Sequence, residues 1–186
     1  GDQGLTWSAA GHIVTEGTWL IENSVVELPG HRLLQFFRSK LGVVFHSLAF
    51  DGGLTWTEPG RTRVQAPNSK SHLMRIQSRN RGQGGEAGQE DFLEGRMLTD
   101  GPLVIAHNDD PKLRTPLVVA LSHDQGNNWR PLADVETDAD LQFAYPTMLE
   151  AKGRLYIMYA VMRKDPNVKL AAIGMRVASF SLMGVK

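Results

Sequence analysis

One short string occurs three times in register, and it constrains the fold more than any other feature of the chain. Ser122-His-Asp124-Gln-Gly126-Asn-Asn-Trp129 is preceded by Ala49-Phe-Asp51-Gly-Gly53-Leu-Thr55-Trp56, and residues 1–7 carry Asp2, Gly4, Thr6 and Trp7 in the same order. The chemistry is that of a tight hairpin. Asp bonds its side chain to nearby backbone amides and Gly supplies a positive-φ position. The Trp is expected to open the next strand and pack its ring beneath the turn. A calcium loop needs further carboxylates that this spacing lacks, so no metal is expected at the boxes.

The boxes recur at roughly 50 residues once a polar stretch at 77–98, dense in Gly, Gln, Arg and Glu, is set aside. A period of that length with several short strands per unit is the pattern of a β-propeller blade. Apolar runs bounded by turn residues predict strands at 24–28, 33–37, 43–50 and 56–64, then 71–76, 103–107, 116–122 and 129–135, then 146–150, 155–161 and 169–180. No segment has a sustained helical period with caps. The expected fold is therefore all-β: residues 1–14 as the last strand of one blade, 15–66 as a second, 67–138 as a third with the insertion, and 139–186 as a final blade without a box. That is about half of a six-bladed ring. The remaining blades are expected from a missing segment or from another chain.

Composition removes several classes of function. Lys plus Arg number 20 and Asp plus Glu number 20, so no net charge favours a nucleic-acid or membrane-surface partner. With no cysteine there is no disulfide and no zinc-type spacing, and no apolar run is long enough for a membrane span. Residues 82–88 are rich in Gly but lack the strand-then-helix setting of a phosphate loop. No cofactor is expected.

Strand direction assigns the chemistry to one face. The start of a blade's first strand and the end of its second lie opposite the box turns. Glu22 precedes the first predicted strand, Arg38 follows the second, and both stand eight residues from Gly30 in the connecting turn. An unbroken antiparallel hairpin would place them opposite each other. Arg114, in a second-to-third-strand connection, falls on the same face, as does Tyr145, ahead of the final blade's first strand. Taken singly, an ion pair and a strand cap are the simpler readings; four such residues on one face turn the balance toward a site. Asn68, Ser69 and Lys70 begin a strand there and are candidates for touching sugar hydroxyls. His46 reads as structural, while His72 and His107, near the channel, read first as packing groups and second as bases for proton abstraction.

The boxes, the runs Ile-Glu22-Asn-Ser-Val-Val-Glu-Leu and Arg-Leu-Leu-Gln-Phe-Phe-Arg38, the stretch from Asn108 through Arg114 to the third box, and Phe-Ala-Tyr145-Pro together resemble the sialidase (neuraminidase) superfamily. The resemblance implies a tyrosine nucleophile at Tyr145 paired with Glu22, and a clamp for an acidic sugar's carboxylate at Arg38 and Arg114. Guanidinium forks suit a carboxylate, and sialidases use tyrosine as an exception to the two-carboxylate rule. The family's first arginine and its acid/base aspartate lie in earlier blades and have no counterpart in these residues, so the chain alone is expected to be inactive. Pro146 after Tyr145 also departs from the pattern of established sialidases. The resemblance slightly favours a secreted or lumenal setting.

Three functions follow as expectations. The first is retaining hydrolysis of a terminal acidic sugar. The second is a lyase on uronic-acid glycans, in which Tyr or His removes a proton beside a carboxylate. The third is a non-catalytic glycan-binding or assembly propeller, since this fold hosts many activities.

Overall fold

The computed structural model describes residues 4–77, 101–165 and 169–183. Among them eleven strands and no helix occur: β1 (Ile21–Leu28), β2 (Arg32–Arg38), β3 (Val43–Ala49), β4 (Gly60–Gln65), β5 (His72–Arg75), β6 (Leu103–Asn108), β7 (Leu117–Ser122), β8 (Arg130–Glu136), β9 (Leu141–Ala151), β10 (Arg154–Asp165) and β11 (Lys169–Ser181). They form three antiparallel sheets in chain order, β1-β2-β3-β4, β5-β6-β7-β8 and β9-β10-β11. Antiparallel sheets of this kind bear out the all-β fold expected from the repeat. Apart from Gln77, the polar insertion expected at 77–98 lies outside the described residues. So does Asp2 of the first box.

The core consists of two layers between sheets. β6 and β7 are buried on both faces, so alternate side chains serve different neighbours. Leu103 and Ile105 pack with Leu34, Phe36 and Val44 of the first sheet. Val104, Ala106, Leu117 and Val119 pack with Phe143, Leu155 and Ile157 of the third. The third sheet buries its other face less: Leu149, Met158, Met175 and Val177 are all exposed.

The boxes have the expected turn chemistry, but Trp7 is exposed rather than packed and Trp56 does not open a strand. The indole Nε1–H of Trp7, Trp56 and Trp129 donates to the carbonyl of Gly4, Gly53 and Gly126 at 2.9, 3.0 and 3.0 Å, the same bond in each. Asp51 accepts from the amide and hydroxyl of Thr55, and Asp124 from Ser122 Oγ and the amide and side chain of Asn128. These bonds hold both carboxyls below the usual carboxylate range. The box of the second sheet also wedges against the first: Trp129 meets Phe36 at a ring separation of 6.0 Å, and a Cβ on Gly126 would stand 3.0 Å from Leu34.

Several boundaries differ from the predicted ones: β1 begins at Ile21 rather than at 24, and β10 runs to Asp165 rather than to 161. β4 begins at Gly60 rather than at 56, because Pro59 has no amide to donate. β9 begins at Leu141 rather than at 146, because residues 141–144 are covered by the second sheet. Residues 4–20 form no strand within this chain, so the assignment of 1–14 to a neighbouring blade is a proposal.

Candidate active site

Two breaks in strand pairing build the centre of the site. In β1, Ile21 pairs with Arg38 and Ser24 with Phe36, so Glu22 and Asn23 together face Phe37. In β9, Ala144 pairs with Ala160 and Thr147 with Met158, so Tyr145 and Pro146 together face Tyr159. Each is a β-bulge, a device that re-aims a side chain. Glu22 has φ 50° and Tyr145 φ 56°, left-handed values unusual for a residue with a side chain. Asn68 is the third such residue at the site, at φ 48°; the other three non-glycine examples, His31, Gln125 and Lys152, are in hairpin turns. Backbone strain of this kind concentrates at functional positions.

This geometry corrects several expectations. Glu22 and Tyr145 lie within strands rather than ahead of them, Arg38 is the last residue of β2 rather than the one after it, and Arg38 is opposite Ile21, not Glu22. The bulge nonetheless brings the expected pair together. Arg38 Nη1 donates to Glu22 Oε2 at 2.8 Å, with 12% and 28% of the side chains exposed. Arg38 Nε donates to Asn68 Oδ1 at 2.8 Å. Arg114, in the β6–β7 connection, donates from Nη2 to the Asn68 carbonyl at 3.2 Å and from Nη1 to Met162 Sδ at 3.8 Å. Asn68 therefore bridges the two guanidinium groups, one through its side chain and one through its backbone.

Burial is the first cause lowering the pKa of Arg114 and the like charge of Arg38 the second, while Tyr145 and Glu22 act in the opposite direction. The Tyr145 ring is 45% exposed. Two guanidinium groups (Arg38 and Arg114) accompany one carboxylate, Glu22, which leaves the site attractive to an anion.

Lys70 reaches across to the third sheet. Its Nζ reaches β9 and donates to the Pro146 carbonyl at 3.4 Å and to Thr147 Oγ1 at 3.3 Å, beside the Tyr145 bulge. Ser69 is buried and donates to Asn108 Oδ1. His72 Nδ1 accepts the Met148 amide at 2.9 Å, which puts its ring proton on Nε2. His107 Nδ1 faces the Gln65 carbonyl at 2.9 Å, 5% exposed. Burial is the first cause lowering the pKa of both, as it is for His46, whose Nδ1 has no hydrogen-bond partner. All three serve packing. Among the described residues no cluster of His, Cys, Asp and Glu could hold a metal ion.

The sheets and the boxes make up part of a β-propeller whose fold is like that of sialidases. The BNR repeat-like domain family matches residues 89–157. No curated protein matches the chain by sequence. Among solved structures, an intramolecular trans-sialidase from Ruminococcus gnavus in complex with oseltamivir carboxylate superposes with TM-score 0.69 at 16% identity, over 98% of this chain and 37% of that one. A Trypanosoma rangeli sialidase in complex with sialic acid gives 0.63 at 17%, over 98% and 26%. An α-L-arabinofuranosidase from Fusarium graminearum in complex with an iminosugar inhibitor gives 0.52 at 15%, over 86% and 45%. The chain thus spans less than half the length of each, and the likeness establishes the fold.

Proposed function

We propose that this chain carries the nucleophile and carboxylate-clamp side of a sialidase-like glycosidase, acting by retention on a terminal acidic sugar once the ring is complete. The observation that carries the reading is the convergence of Glu22, Arg38, Arg114 and Tyr145 on one rim. Arg38 and Arg114 would bind the sugar carboxylate with charge-assisted bonds. Tyr145 Oη would attack the anomeric carbon and pass its proton to Glu22, whose Oε2 is already held by Arg38. The C–O bond to the leaving group breaks as the tyrosyl bond forms. The acid that protonates the leaving oxygen belongs to a blade outside this chain, and water then releases the sugar from Tyr145.

A tyrosine suits this substrate because a carboxylate nucleophile would meet the sugar's own negative charge. The lyase alternative loses both histidine bases, since His72 Nδ1 is committed to an amide and His107 is buried. The arabinofuranosidase likeness keeps a neutral-sugar glycosidase as the comparison arm of the test.

The test is release of a fluorogenic sialoside, alongside a neutral arabinofuranoside, by the complete propeller containing this chain. Turnover of the sialoside alone, abolished by Tyr145→Phe with ligand binding retained, is the expected result. Sialoside turnover unchanged in Tyr145→Phe would refute the roles of Tyr145 and Glu22.

A further inference from the structure

We propose that Asn108, at the end of β6, is a positioning residue that sets Tyr145 and the arginine clamp relative to each other. It is fully buried at 0% exposure, and every polar group of its side chain is used. Oδ1 accepts from Ser69 Oγ at 2.8 Å, and Nδ2 donates to the carbonyls of Phe143 at 3.1 Å and Pro116 at 3.5 Å. Each partner lies one or two residues from a site group: Ser69 follows Asn68, Pro116 lies beyond Arg114, and Phe143 precedes Tyr145. One amide thereby ties together the three segments that converge on the rim.

The surrounding bonds show why those segments need a common anchor. The Phe143 amide donates to the Arg114 carbonyl at 2.7 Å, and the Arg114 amide donates to Gln142 Oε1 at 2.8 Å. Beyond the bulge, Pro146, Thr147 and Met148 are held by Lys70 and His72. Tyr145 thus sits at an unpaired break whose flanks are fastened on both sides to the second sheet. Asn108 is the most deeply buried of these fasteners, so its removal leaves the Ser69 hydroxyl and the Phe143 and Pro116 carbonyls without the side chain that ties them together. Misplacing a reacting group by about 1 Å can cost about a hundredfold in rate.

The kinetic arm rests on the glycosidase reading, so a second arm is independent of it. In the complete propeller, Asn108→Ala is compared with Ser69→Ala and with Val44→Ala, a buried core change in the first sheet that serves as a control for lost stability. Asn108→Ala is expected to lower kcat by about ten- to a hundredfold. Ser69→Ala, which loosens only the segment carrying Asn68, is expected to raise KM about threefold or more with kcat within about twofold. Val44→Ala is expected to keep both constants. Amide exchange across residues 141–148 is measured without substrate and should accelerate in Asn108→Ala but not in Val44→Ala. Unchanged kcat in folded Asn108→Ala, or an equal loss in Val44→Ala, overturns the positioning role. Should the wild type turn over no acidic glycoside, the functional reading fails alone. Exchange then decides, and equal exchange in the two variants overturns the proposal.

Discussion

Arg38→Lys separates the two tasks assigned to this guanidinium. Arg38 makes two charge-assisted bonds at 2.8 Å, to Glu22 and to Asn68, from a side chain only 12% exposed. A lysine ammonium keeps the charge but is a single point, able to satisfy one of those acceptors at full strength. A hydrogen bond to a charged group nets about 1.5–3 kcal/mol. Because Glu22 is 28% exposed and water can reach it, the low end, about 1.5 kcal/mol, is expected. For a chain of this size that lowers the melting temperature by about 3–6 °C. Binding of an acidic sugar should suffer separately. Loss of one forked contact to its carboxylate weakens affinity about tenfold, at about 1.4 kcal/mol per decade. Thermal melting reads the first effect, and titration calorimetry with sialic acid and with a neutral sugar reads the second. A variant that loses the expected stability yet binds the acidic sugar as tightly as wild type would refute Arg38 as part of the clamp.

Three further outcomes follow from the fold. Gly126→Ala places a side chain at φ 89° with its Cβ 3.0 Å from Leu34, so about 1–2 kcal/mol of stability should be lost, read by chemical denaturation; an unmoved midpoint would contradict the wedge between the first two sheets. His46, His72 and His107 have lowered pKa values in the folded chain, so the unfolded chain takes up protons first as pH falls. Stability is therefore full above about pH 6.5 and declines as pH falls toward the lowered folded values, and His72→Gln should flatten part of that decline in melting temperature. Asp124→Ala should lower the melting temperature by removing the acceptor for Ser122 and Asn128, and its effect should shrink in strong acid, where the native carboxyl is itself protonated.

The parts of the structure that depend on local chemistry were readable from the sequence. Asp, Gly and Trp at fixed offsets specify the box turns, and alternating apolar residues specify the strands that bury them. Long-range effects were not readable. Residues 141–144 extend β9 because the second sheet covers them, which no local pattern announces. The bulges at Glu22 and Tyr145 carry no glycine, the usual sign of a left-handed break, so simple counting from Gly30 set Arg38 against the wrong partner. That Lys70 also ties its segment to the neighbouring sheet was likewise not readable from the sequence. Asn108 draws no separate reading from the sequence, where it only opens the stretch leading to Arg114. Its role appears only when Ser69 and Phe143, each more than thirty positions away, are brought to it.

Glu22 and Tyr145 sit where the hydrogen-bonded ladder skips a rung, and this separates two kinds of inherited change. Substitutions along intact rungs alter how firmly the sheets hold. Substitutions at the skipped rungs change the side chains offered at that edge and leave the paired strands largely undisturbed. Under the proposed glycosidase role, a change of sugar would need only a few edits at these interruptions, with the scaffold kept.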